Sequence, residues 1–219
     1  MKQIKISELK DGMIVSGYQV RIWQDDMPID PRKDYDHLGT MSCSHRRCKI
    51  GDEQINSGNF NSWGEVKTWL VRAKGALVIL PIYMIDHSGI AISTRGFRDC
   101  DPQGWDSGQV GFIWVSKADV KKEYGTCGKR SIEKATAVLE AEVEEYSAYL
   151  EGDVWAYTIT APDGEVVGGC NGFIDFYNSK ETMKQYIEAE INSFNRPNPA
   201  DVHQAIHGCD PWEGAGDGI

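Results

Sequence analysis

Two polar stretches, Asp34–Asp52 and Asp86–Gln109, hold most of the side chains able to do chemistry. In the first, Cys43, His45 and Cys48 read C-x-H-x2-C. Thiolate and imidazole are the donors that hold Zn2+ tetrahedrally, and His87 or Cys100 is available as the fourth. The spacing is not that of a standard finger or ribbon, and it has a plain alternative. Cys43 can be a small core side chain and His45 a loop residue that bonds backbone. A second donor set lies near the C-terminus, where His203 and His207 are four apart and would share one helix face, with Cys209 and Asp210 close by. The bland reading there is a polar tail with chance spacing.

The same residues allow nucleophilic catalysis. Cys43 with His87 and Asp106, or Ser88 with His45, supplies a nucleophile, a base and an orienting group. Neither set sits in a nucleophile elbow or a protease signature. Asp86-His87-Ser88-Gly89 also reads as a turn after a strand, with Asp and Ser bonding backbone N–H groups. Arg46, Arg47 and Lys49 form a small basic spot that Arg95 and Arg98 extend. It suits a phosphate contact but is too small for strong non-specific nucleic-acid binding, and pairing with the neighbouring Asp residues is the simpler reading.

Positioning these loops falls to elements legible from periodicity. Tyr18–Gln24 alternates as a half-buried strand. Asp25–Asp36 is rich in Asp and Pro and reads as loop. Ser62 caps a helix carrying Trp63, Val66, Trp69 and Leu70 at helical spacing, with Glu65 completing a capping box and Gly75 ending it. Ala76–Ile85 is a continuous apolar run, as in a central strand buried on both faces, with Gly89–Thr94 returning as its partner. Val110–Val115 is another strand, and Ser116 caps a short helix over Lys117–Tyr124. Ser131–Glu151 is the clearest helix: Ile132, Ala135, Leu139, Val143, Tyr146 and Leu150 line one face, and Glu133, Glu140, Glu142, Glu144, Glu145 and Glu151 the other. Val154–Thr160 and Glu165–Tyr177 flank Pro162-Asp163-Gly164 as a hairpin, and Ser179 caps a last helix with Met183, Ile187, Ile191 and Phe194 inward. The expectation is α+β: a mostly antiparallel sheet with helices packed on one face, a single domain over 1–195 and a weakly ordered tail over 196–219.

The 219 residues carry a net charge of −10. That balance disfavours broad contact with nucleic-acid phosphates and favours basic partners, including proteins that themselves bind nucleic acid. No apolar run reaches the length of a membrane span. The first residues, MKQIKISELKDG, lack the apolar block of a signal peptide, so the expected location is cytoplasmic. In that compartment the six cysteines are thiols or ligands rather than a disulfide framework.

Several stretches resemble a family of phage and mobile-element accessory proteins. They are Asp25-Asp26 with Pro31-Arg32; His37–Thr40 with Cys43, His45, Arg46, Arg47, Gly51 and Asp52; Leu80–Tyr83; Asp86-His87-Ser88-Gly89; Trp105–Gly111 followed by Val115–Lys117; and Glu151-Gly152-Asp153-Val154. The likeness covers most of Tyr18–Tyr177 and not the tail after Asn195. Cys48 departs from it, standing where a tyrosine is expected. The resemblance carries no activity. It implies a viral or mobile-element origin, in which interference with host processes is a common role.

Two functions are therefore expected. The first is a binding protein that inhibits or modulates a host factor, such as a nucleic-acid-directed defence complex of the CRISPR kind, with the acidic Glu140, Glu144 and Glu145 and the basic Arg46 and Arg47 at the contact. It needs no cofactor. The second is a hydrolase or nuclease built on Cys43, His45, His87 and Asp106, with zinc as a possible metal.

Overall fold

The computed structural model describes residues 4–195. The tail, with His203, His207 and Cys209, lies outside the described residues. In chain order the elements are β1 Met13–Val15, β2 Tyr18–Gln24, α1 Pro31–Asp34, β3 Thr40–Cys43, β4 Glu53–Gln54, α2 Trp63–Lys74 and β5 Ala76–Asp86. There follow β6 Ile90–Ser93, β7 Ser107–Ser116, α3 Lys117–Tyr124, α4 Lys129–Leu150, β8 Val154–Thr160, β9 Val166–Ile174 and α5 Phe176–Phe194. The class is α+β with two mostly antiparallel sheets, in the orders β1-β2-β8-β9 and β4-β3-β7-β5-β6. No described helix is long and apolar enough to cross a membrane.

The chain divides into two compact units. One takes the described parts of 1–22, 157–170 and 180–219. Its β1 and β2 pair antiparallel across Ser16 and Gly17, both at positive φ. That two-residue turn matches the right-handed twist of the strands it joins. Met183, Ile187 and Ile191 of α5 are fully buried, as their spacing predicts. Ser179 does not cap this helix. The helix begins three residues earlier, at Phe176, and Asp175 takes the capping role by accepting from the Asn178 N–H at 3.2 Å.

The other unit, 23–156 with 171–179, holds both polar stretches. Its five-stranded sheet is centred on β7, whose residues 110–115 are all buried. Alternation sends Ile113 and Val115 to one face and Phe112 and Trp114 to the other. On the first face they join Ala135, Leu139, Val143 and Tyr146 of α4 and Val120 of α3. On the second, Val66 and Leu70 of α2 pack with Phe112 and Trp114. Helices thus pack on the expected face and, with α2, on the opposite one as well. Each fully buried Leu or Val here contributes about 1.5–3 kcal/mol. The caps of α2 are those expected: Ser62 Oγ accepts from the Glu65 N–H at 3.3 Å, and Gly75 ends it in the left-handed conformation.

Two departures from the sequence reading bear on the first polar stretch. Asp25–Asp36 contains the one-turn helix α1, started by Asp30 and Pro31. The first polar stretch contains β3, a buried strand paired with β7 from Thr40↔Trp114 to Cys43↔Gly111. A Cβ at Gly111 would stand 2.3 Å from the Ser42 carbonyl oxygen, so only glycine admits β3 at this register.

Candidate functional site

The first polar stretch is organised around Arg32. Its guanidinium pairs with both carboxylate oxygens of Asp52, donates to Glu142 Oε2 at 3.0 Å, and donates to the Gly39 carbonyl at 2.8 Å. Glu142 Oε1 also accepts from the Leu38 N–H at 2.7 Å, and Asp52 Oδ2 from the Met41 N–H at 2.7 Å. Burial works against the Arg32 charge, but the bonds and charges of Asp52 and Glu142 outweigh it and hold its pKa above the ordinary value. The Arg32 side chain is only 3% exposed. Glu142, expected on the outer face of its helix, is therefore an internal residue: burying an acid on α4 is tolerated because it meets a cation and backbone donors together. Gly39 allows the approach, since a Cβ there would come within 3.0 Å of both Ile113 and Glu142.

Cys43, at the end of β3, belongs to the main core. Burial pushes its thiol up to about 12, with the Asp52 charge acting in the same direction. A thiol held protonated and out of solvent is neither a nucleophile nor a ready metal ligand at neutral pH. His45 turns to its own loop, where Nδ1 accepts from the Cys48 N–H at 3.2 Å. Cys48 packs against the core. Among the described residues no three His, Cys, Asp or Glu side chains are grouped to hold a metal ion.

The two stretches meet at one end of the sheet, where Arg47 pairs with Asp86 at 2.8 Å. There the second stretch stays open. Asp101 organises its loop by accepting from the N–H groups of Trp105, Asp106 and Ser107 at 3.1, 3.0 and 2.9 Å. Its pKa is lowered, chiefly by the Ser107 side-chain hydrogen bond and further by the backbone N–H groups, with burial opposing them. That turn presents Asp106 to His87, with Nδ1 and Oδ2 2.9 Å apart. A proton on Nδ1 shared with the carboxylate leaves Nε2 free to act as a base. The pair is exposed, and no described hydroxyl or thiol is hydrogen-bonded to His87. Cys43, His45, His87 and Asp106 are thus joined by hydrogen bonds only as His87–Asp106, with the other two engaged elsewhere. Ser88 is exposed on the same turn.

Beside this loop, a recess of about 540 Å3 is lined by residues including Tyr83, Arg95, Phe97, Arg98, Asp101 and Gln109. The sequence marked Arg95 and Arg98 only as an extension of the basic spot. Tyr83 sits on a strand read as wholly structural, and Gln109 closes the second polar stretch with no role assigned to it. The spacing of Asp101 to Trp105, Asp106 and Ser107, an acid ahead of a run of backbone donors, is the one local signal that a preset loop stands here.

Elsewhere in the same unit, Glu144 and Glu145 of α4 are exposed and Glu140 partly so. None of the three has an ion-pair partner among the described residues. Arg46 is likewise exposed, whereas Arg47 is committed to Asp86.

No protein-family model matches the chain. No curated protein and no solved structure matches it either.

Proposed function

We propose that this chain is a phage or mobile-element accessory protein, acting in the host cytoplasm, that binds and inhibits a nucleic-acid-directed defence complex. The observation that carries the reading is the division of acids on α4. Glu142 is paired inward, while Glu140, Glu144 and Glu145 face outward without a cation. α4 has 22 residues, about 33 Å of helix pinned to the sheet by its apolar face. A rigid rod with unpaired carboxylates fits a channel lined with Lys and Arg that normally holds nucleic-acid phosphates. The net charge of −10 adds long-range attraction to such a channel, and the resemblance to mobile-element proteins supplies the biological setting.

The test is competition. The purified chain is titrated against an RNA-guided nuclease complex in the presence of its target DNA. Displacement of the DNA, and at least a tenfold weaker effect after Glu140, Glu144 and Glu145 are changed together to Ala, is the expected result. An unaltered effect in the triple variant would sink the acidic-face reading.

One observation favours a second reading, hydrolase or nuclease chemistry: the His87–Asp106 pair with Nε2 free. It requires that His87→Ala abolish turnover of a nucleic-acid or ester substrate while the fold stays intact.

A further inference from the structure

The recess at the end of β5 and β7 goes beyond the acidic-helix reading and does not depend on it. We propose that it binds a nucleoside monophosphate, with Arg95 and Arg98 on the phosphate and the base against the wall that includes Tyr83 and Phe97.

Four features argue for it. The recess, about 540 Å3, falls within the range of small-molecule sites. Its lining carries two guanidinium groups and one carboxylate, in a chain whose overall charge is −10. That carboxylate, Asp101, is engaged by the three N–H groups of its own loop and forms no ion pair with either arginine, so the lining keeps a net positive charge. Neither Arg95 nor Arg98 has an ion-pair partner among the described residues, in contrast to Arg32 and Arg47.

Two such groups, three residues apart in one loop, offer planar forks of donors that match the several oxygens of a phosphate dianion. The loop is already shaped: Gly96 lies between them at φ +82, with its backbone against the Tyr83 ring. The Asp101 turn fixes the opposite rim, so little ordering remains to oppose binding. Aromatic residues give a planar base a surface to stack on, and the Gln109 amide, whose Nε2 donates to the Gly111 carbonyl at 3.2 Å, has its oxygen left as an acceptor for the base edge. A plain inorganic anion would leave that aromatic and amide wall unused.

The experiment is titration of the full chain with AMP, GMP, CMP and UMP at low salt, followed by heteronuclear NMR and calorimetry. Adenosine and inorganic phosphate serve as the two half-ligands. At least one nucleotide is expected to saturate and to shift the backbone amides of residues 95–109. Adenosine alone should fail, and inorganic phosphate should bind at least tenfold more weakly. The Arg95→Ala/Arg98→Ala variant should lose tenfold or more in affinity with an unchanged melting temperature, since both side chains are exposed. Lysine at both positions should restore only part of the loss. Three results would overturn the proposal: no nucleotide binding at millimolar concentration, amide shifts that lie outside the recess, or inorganic phosphate binding as tightly as the nucleotides.

Discussion

The two polar stretches look alike in sequence and differ in what the fold does with their charge. In Asp34–Asp52 one acid and three backbone N–H groups close with Glu142 around the buried Arg32. In Asp86–Gln109 one acid, Asp101, spends itself on its own loop and leaves Arg95, Arg98 and the His87–Asp106 pair facing water. Density of polar residues therefore does not mark a site. What separates structure from function here is whether the charges are satisfied internally, and that depends on residues far away in sequence, such as Glu142.

The sharpest way to break this contrast is at Arg32. Arg32→Met leaves the buried Glu142 carboxylate, and the partly exposed Asp52, without their cation, and should destabilise the protein by about 3–5 kcal/mol. For a chain of this size the melting temperature falls by on the order of 10 °C. Replacing all three charged groups by apolar ones should not recover the loss, because the Leu38, Gly39 and Met41 N–H groups would lose their acceptors. Thermal unfolding of the variants measures this, and a change within about 0.5 kcal/mol would place Arg32 among ordinary surface residues.

Thiol reactivity sharpens the same comparison. Cys43 and Cys100 belong to the two stretches, one buried and one exposed. At pH 8, alkylation of Cys100 should outpace that of Cys43 by roughly a hundredfold or more, because Cys43 reacts only through opening of the core. The raised Cys43 pKa also has a signed consequence. Between its ordinary 9.0 and about 12 the folded chain holds a proton that the unfolded chain releases. The contribution to stability is intact below pH 9 and is lost as pH rises toward 12. Equal labelling of the two thiols in the native state would mean that β3 is not closed.

How much of this was legible follows from range. α2, α3 and α4 could be read because caps and apolar periods are local, and β5 because so long an unbroken apolar run reads as a strand within a sheet, although only one of its faces is buried and the other is half-buried. β3 was missed because Thr40–Cys43 is short and carries two polar side chains. Its burial comes from β7, and Ser42 is accommodated by accepting from the Trp114 indole N–H at 2.8 Å, a bond across 72 positions of chain. Glu142 was misplaced for a different reason: its helical position lies beside Ala135 and Tyr146 on the buried face, but its charge grouped it with the exposed acids, and its cation, Arg32, is 110 positions away. The two stretches meet through the Arg47–Asp86 pair, between residues 39 positions apart. The recess was not expected, since Tyr83 reads as strand and nothing local says that its ring borders a cavity.

A smaller effect is predicted in the open stretch. Asp101→Ala removes the acceptor of three consecutive N–H groups, so amide exchange at Trp105, Asp106 and Ser107 should accelerate while the melting temperature barely moves. Acid should mimic the variant. The folded Asp101 pKa is depressed, so the order it confers is present above the ordinary 3.8 and is lost as pH falls through the lower folded value. Retained exchange protection at these three amides in the variant would show that the loop is held by something other than Asp101.

The smallest effect belongs to His87 and Asp106. Their side chains are 75% and 48% exposed, so water screens the pair and competes for each partner. A double-mutant cycle of His87→Ala and Asp106→Asn should give a coupling no larger than about 1 kcal/mol, shrinking as salt is added. Stability should be nearly unchanged in each single variant. That smallness is what makes the pair informative. A structural ion pair in this fold looks like Arg32–Glu142, shut away and supported by backbone donors, and His87–Asp106 has neither property. If the cycle instead returned a coupling as large as the one at Arg32, the second stretch would be as closed as the first. The free Nε2 would then be a by-product of packing, and the contrast between the two stretches would fail at its most exposed point.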